Sequence, residues 1–285
     1  MARALFGRNG PVCLTTRHGK ERALARPFRV GLGLGLVVSG CDTDQLGTFS
    51  GECVRPADAL ATCRRKALLG LELSGLALGL ASEGSFGPHP AVPLLPVGHE
   101  LLVLVDRERG LEVVEERLEL RTNYSQQTLG PDDDPGAWLR RIGFPAHGVI
   151  VRPAGWTPGA PLFKGLTTAA DLQRALAHSR RADPAGLVLL ETDMRAHLNP
   201  TRMASLRRLG LALVRRLRCP CPDCGAPGWG LVDTAAGLPC SWCAEPTALI
   251  QQEIWGCPHC GSRRSQPRRD GLLLADPGHC QQCNP

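Results

Sequence analysis

The chain has little lysine, few aromatics and no long apolar run. Of its 33 basic residues only three are lysines, Lys20, Lys66 and Lys164, so arginine carries nearly all the positive charge. Arginine serves wherever a bare cation is enough. Lysine offers a compact ammonium that meets phosphate as a point charge and shifts its pKa readily when buried. Aromatics make up 4% of the 285 residues against a hydrophobic content of 43%, so a packed interior must rest on aliphatic side chains. No apolar run approaches the roughly 18–20 residues of a membrane span. The most apolar stretches, V-G-L-G-L-G-L-V-V and L-L-G-L-E-L-S-G-L-A-L-G-L-A, are broken by glycines and a glutamate. The first residues, M-A-R-A-L-F-G-R-N-G, lack the apolar core of a signal peptide, and a cytoplasmic protein is the expectation. G-L-G-L-G-L is no dinucleotide fingerprint, because it precedes its strand and has the wrong glycine spacing. No G-x-x-x-x-G-K-[ST] loop or G-x-S-x-G elbow occurs either.

Cysteine, by contrast, is concentrated. Nine of the thirteen lie within residues 219–283. Cys221-x2-Cys224 and Cys240-x2-Cys243 are fifteen residues apart, and Cys257-x2-Cys260 and Cys280-x2-Cys283 nineteen. Two C-x2-C pairs at that separation are what a four-thiolate zinc ribbon needs, and the pattern occurs twice. Sequential pairing gives one ribbon over 219–250 and another over 251–285; an interleaved cross-brace fits the same spacing. All-cysteine sites are closed and structural, which leaves Cys219 spare. Cys13, Cys41, Cys53 and Cys63 read as ordinary thiols near apolar segments. The segment from 219 onward has four arginines and six acids, a balance of −2 against +6 for the whole chain, so residues 1–218 carry +8. A positive N-terminal part suits an anionic ligand. Arg263, Arg264, Arg268 and Arg269 form a local basic cluster without interleaved aromatics, open to nucleic acid or a partner protein.

Over 1–218, apolar strand candidates fall near 11–16, 34–39, 76–81, 100–105, 111–120, 147–152 and 186–191, and helices near 56–70, 132–142, 168–179 and 199–217. Strands mixed with helices predict an α/β domain, with a mixed central sheet flanked by helices and followed by the two zinc ribbons. Polar signatures recur where strands end. R-H-G-K-E brings His18 and Lys20, and D-T-D-Q-L-G-T-F-S-G-E brings Asp42 and Asp44. S-E-G-S-F-G-P-H-P brings Glu83 and Ser85. E-T-D-M-R-A-H-L-N-P-T-R-M brings Glu191, Asp193, Arg195 and His197, with Asn199 as N-cap and Pro200 as first residue of a helix. If that stretch stays extended, its four ionisable residues share one face. A site for a phosphorylated ligand needs these parts: carboxylates for Mg²⁺ or Mn²⁺, cations for phosphate oxygens, and glycine-loop amides.

Taken together, H-G-K-E, D-T-D-Q-L-G-T-F-S-G-E, A-S-E-G-S-F-G-P-H-P, F-P-A-H-G-V-I-V-R-P, E-T-D-M-R-A-H-L-N-P-T-R-M and the terminal C-x2-C-N-P resemble a bacterial family, domain of unknown function 6671. That resemblance covers nearly the whole chain and implies no activity. In the order of its elements the chain is also similar to the inosine and xanthosine triphosphate pyrophosphatases. L-T-T-R-H-G-K-E, A-T-C-R-R-K-A and L-A-S-E-G-S-F-G stand where those enzymes have a lysine loop, a lysine helix and an acidic strand end. This similarity implies that Lys20 and Lys66 hold phosphate and that Glu83 helps bind Mg²⁺. The chain departs from them in using R-H-G-K where they have an Asn loop, and in lacking paired aspartates after the third strand.

Two readings follow. In the first, the protein is a divalent-metal-dependent phosphohydrolase or pyrophosphatase acting on a nucleotide or other phosphorylated small molecule. Asp42, Asp44, Glu83, Glu191, Asp193 and His197 then serve catalysis, while His18, Lys20, Lys66, Ser85 and Arg195 bind ligand. In the second, it is a zinc-ribbon binding protein without turnover. A domain that senses a nucleotide without hydrolysing it forms a third class.

Overall fold

The computed structural model describes residues 10–41 and 58–285. The first strand is short and fully buried, apolar through Val12, Cys13 and Leu14 and ending in buried Thr15. β1 (Val12–Thr15) lies between β2 (Leu36–Ser39) and β3 (Leu78–Pro88), parallel to both. β4 (Pro96–Asp106) and β5 (Leu111–Glu119) extend the sheet antiparallel, giving the order β2-β1-β3-β4-β5. Helices α1 (Glu21–Leu32) and α2 (Ala59–Ser74) are the crossovers between the parallel strands.

Alternation of side chains along the strands sorts the two faces. Leu14, Leu78, Leu80, Leu102 and Leu104 pack with Leu24 and Phe28 of α1 and with Leu206, Leu209 and Leu213 of α5 (Pro200–Leu217). On the opposite face Ala81, Leu101 and Val103 pack with Cys63, Ala67 and Leu71 of α2. Each fully buried leucine contributes about 1.5–3 kcal/mol relative to exposure. The two crossovers thus cover opposite faces, and the chain departs from β1 in one direction and returns as β3 in the other. The strand order therefore reverses between β1 and β3, and at such a switch point open α/β sheets bind ligands beyond the carboxyl end of the strand.

The expectation of a mixed central sheet flanked by helices holds for β1–β5. The 147–152 and 186–191 segments do form strands, β7 (Val149–Pro153) and β9 (Val188–Thr192), but in a second sheet. With β6 (Gln126–Leu129) and β8 (Phe163–Leu166) they make an antiparallel sheet of order β6-β9-β7-β8. Helices α3 (Gly136–Ile142) and α4 (Ala169–Ala182) cover it through Trp138, Ile142, Leu172 and Leu176. An apolar run marks a strand but does not name its partner, so the sequence shows these strands without showing which sheet takes them. Helix α1 was not expected. Pro27 interrupts its helical pattern, yet the ring is buried in the α1 interface. At the 191–203 stretch, Asn199 caps α5 through a bond from the Arg202 amide, with Pro200 at the helix start, as expected.

The C-terminal region adds a three-stranded antiparallel sheet, β10 (Gly230–Ala236), β11 (Ile250–Gly256) and β12 (Arg263–Pro267), with the cysteine knuckles at its ends. Among the described residues no helix is long and apolar enough to cross a membrane.

Candidate functional site

Two of the three lysines meet at one point of β3. Lys20 follows β1 in a tight turn whose Gly19 has a φ of 67°, a conformation glycine adopts without strain. Its Nζ donates to the Ser82 carbonyl at 3.0 Å, and the residue is 7% exposed. Lys66, on the β3-facing side of α2, donates its ammonium to the Glu83 carboxylate, and both groups are nearly buried. Burial, followed by the nearby Arg202 guanidinium, pushes Lys20 down from 10.5 to about 8, against the opposing pull of Glu83 and Glu100. A desolvated ammonium of this kind is stabilised by an anion brought beside it. The Ser82 hydroxyl, also buried, has no hydrogen-bond partner among the described residues.

A second ion pair completes the corner. Arg202, on the first turns of α5, reaches Glu100 of β4 at 2.5 Å, with only 6% and 2% of the two side chains exposed. Glu100 stands opposite Gly84 in the β3–β4 register. A Cβ at Gly84 would lie 2.5 Å from Arg202 Nη2 and 2.6 Å from Glu100 Oε2, so the strand must carry glycine there for the pair to close over it. Arg202 also donates to the Met194 carbonyl and lies 5.0 Å above the Phe86 ring. Through these contacts it ties β3, β4 and the 193–199 segment together.

The 191–203 stretch does not stay extended, so its four ionisable residues do not share one face. β9 ends at Thr192, and a single 3-10 turn (Ala196–Leu198) follows. Glu191 turns to Arg152 of β7 at 2.9 Å; burial raises its pKa and Arg152 opposes the rise. Asp193 is fully buried, accepting from the Gly165 amide at 3.0 Å and from Arg195 Nη2 at 2.6 Å. His197 continues past them to stack on His18, with ring centroids 5.3 Å apart and planes 23° from parallel. Burial, with Lys20, His197, Arg195 and Arg202 close by, lowers His18 to about 3. Burial and Arg195 lower His197 as well, with Asp193 acting against them.

The structure therefore gathers His18, Lys20, Lys66, Glu83, Arg195 and His197 around one corner, while Asp193 serves as the buried partner of Arg195. Ser85 lies exposed on β3 beyond Glu83. Asp42 and Asp44 fall outside the described residues. Arg202 and Glu100 were not singled out from the sequence. The one available signal was a carboxylate inside the apolar run H-E-L-L-V-L-V, since buried charge demands a partner.

The cysteines form two groups, and here the sequential pairing is corrected. Cys221 and Cys224 join Cys257 and Cys260, while Cys240 and Cys243 join Cys280 and Cys283. The strands explain why: β10 pairs with β11 and β11 with β12, which returns the third knuckle to the first. A parallel bridge from Cys240 to Ala275 brings the fourth to the second. Sulfur separations of 3.8 Å (Cys221–Cys260), 3.7 Å (Cys224–Cys257), 3.9 Å (Cys240–Cys283) and 3.6 Å (Cys243–Cys280) fit a tetrahedral ion. Four thiolates about 2.3 Å from one centre stand about 3.8 Å apart. Backbone amides of Cys243 and Trp242 point at Cys240 and lower its thiol to about 7, whereas the crowded neighbouring sulfurs raise Cys283, so a cation at the centre is what would let all four ionise together. These are two four-cysteine groups able to hold metal ions. The nearby arginines are largely paired: Arg264 with Asp223, Arg268 with Asp270 at 2.6 Å, and Arg269 with Glu253 at 2.9 Å.

A family model described as "Domain of unknown function (DUF6671)" matches residues 66–285. The chain belongs to that family. The family span takes in Lys66, Glu83, Glu100, Arg202 and all eight paired cysteines, while His18 and Lys20 precede it. No curated protein and no solved structure matches the chain.

Proposed function

We propose that the α/β part is a phosphohydrolase domain for a phosphorylated small molecule, with nucleoside triphosphates the first class to test, and that the four-cysteine groups hold two structural zinc ions. The observation that carries the reading is the convergence of Lys20 and Lys66 on adjacent residues of β3. In a chain that uses arginine almost everywhere, two lysines from separate segments meet, largely desolvated, where the strand order reverses between β1 and β3. Lys20, Lys66 and Arg202 supply positive charge against phosphate oxygens. A bound phosphate competes with Glu83 for Lys66 and so releases that carboxylate to orient water.

Among the described residues the cysteines are the only groups of three or more candidate metal ligands. Glu83 and Glu100 each face a cation instead, Lys66 and Arg202 respectively. For zinc the donor set fits, and its part is to cross-link the C-terminal segments rather than to do chemistry.

The test is a phosphate- and pyrophosphate-release screen over standard and deaminated nucleoside triphosphates, with Mg²⁺ or Mn²⁺, on wild type, Lys20→Met and Lys66→Met. Turnover lost in both variants supports the reading. Silence across the panel from a folded, metal-loaded protein moves the weight to a binding role without turnover. For that role the support is Trp242 and Leu273, 78% and 76% exposed, which fit a partner protein better than nucleic acid.

A further inference from the structure

We propose that the stacked His18–His197 pair takes up one proton when a phosphate group enters the Lys20 corner and holds a phosphate oxygen through the resulting imidazolium N–H. This rests on the reading of the corner as a phosphate site and adds a specific role for the two imidazoles. The geometry comes first. His18 sits in the turn between β1 and Lys20, and His197 sits in the 3-10 turn just before α5. The two rings stack although they lie far apart in sequence, which brings the β1 loop against the loop that carries Arg195. Gly19 permits the turn through its φ of 67° and lies directly under His197, whose Cβ is 3.5 Å from where a Gly19 Cβ would stand.

The charges facing the pair are mostly positive, with the Glu21 carboxylate of α1 at the Gly19 edge of the contact, 3.8 Å from where a Gly19 Cβ would stand. Lys20 lies on the same turn, Arg22 on α1, Arg195 beside the 3-10 turn and Arg202 on α5, while Asp193 is already engaged by Arg195. In such surroundings both imidazoles are neutral near neutrality. An entering phosphate dianion reverses that balance: it offsets neighbouring cations and offers an imidazolium an acceptor oxygen. Stacked rings repel each other when both are charged, so the pair takes one proton rather than two. The balance is simple: one proton leaves solvent, binds a ring nitrogen, and its N–H then points at the ligand oxygen.

Lys20 must not be mistaken for the source of this signal. With its pKa near 8, it is already charged at about pH 6.5 and adds little uptake there.

The experiment titrates the full, metal-loaded chain with inorganic tripolyphosphate at about pH 6.5, in two buffers of different ionisation enthalpy. The proton count comes from the buffer dependence of the heat, after correction for the ligand's own titration. Wild type is expected to gain about one proton per bound ligand, and His18→Gln with His197→Gln to bind while gaining almost none. Because the variants risk misfolding, ring-nitrogen chemical shifts of histidine in the wild type supply a second reading, with one imidazolium expected to appear on saturation. Binding with no uptake and with both rings neutral overturns the proton role and leaves the phosphate site standing. An absence of tripolyphosphate binding overturns both.

Discussion

Lys20 donates to the Ser82 carbonyl at 3.0 Å across 62 positions of sequence, and this bond joins the end of β1 to the middle of β3. The ammonium at that junction is desolvated, and the consequences can be measured.

The first concerns pH. A lysine lowered from 10.5 to about 8 binds fewer protons in the folded than in the unfolded chain between those values. Its cost is therefore fully present below about pH 8 and is relieved as pH rises toward 10.5. The displacement corresponds to about 3 kcal/mol. Lys20→Met should raise stability at about pH 7 by about 1–3 kcal/mol once the lost bond to Ser82 is counted. That advantage should shrink above about pH 8 in parallel urea titrations. An advantage independent of pH would show that the ammonium is solvated.

A second prediction concerns the pair under Gly84. Arg202→Met leaves Glu100 buried without a partner and should cost about 3–5 kcal/mol in denaturant unfolding. Adding Glu100→Gln should recover most of the loss, because the double variant no longer strands a charge. Purely additive losses in this cycle would contradict the coupling seen in the structure.

Asp193 yields a third. With no exposed surface and both oxygens bonded to the Gly165 amide and Arg195, it holds the 193–199 segment in place. Asp193→Asn should lower stability by about 3 kcal/mol and loosen amide exchange at Gly165 and Arg195. An unchanged melting curve with lost turnover would instead assign Asp193 to the chemistry.

The cysteine pairing is testable by alkylation. In the metal-loaded Cys257→Ser variant, Cys221, Cys224 and Cys260 should become reactive while Cys240, Cys243, Cys280 and Cys283 stay protected. Metal content should fall by about one ion per chain. Exposure of Cys280 and Cys283 in place of Cys221 and Cys224 would restore the sequential arrangement.

What the sequence determined by itself was local. Apolar runs marked β1, β7 and β9, because burying a strand requires apolar side chains whatever its partner. Asn199-Pro200 marked the start of α5, because a cap satisfies amides within its own first turn. Each C-x2-C knuckle was readable, because one short turn suffices to aim two sulfurs at one ion. Scarcity of lysine was also informative, since Lys20 and Lys66 stood out before their meeting place was known. Pairing was decided only by the tertiary structure. Four similar knuckles at similar spacings leave the choice of partner to strand order, and the β10-β11-β12 sheet interleaves them. Glu100 needed Arg202 from 102 positions away, and His18 needed His197. No local pattern encodes such contacts, because their energy depends on burial and on neighbours that sequence distance does not reveal.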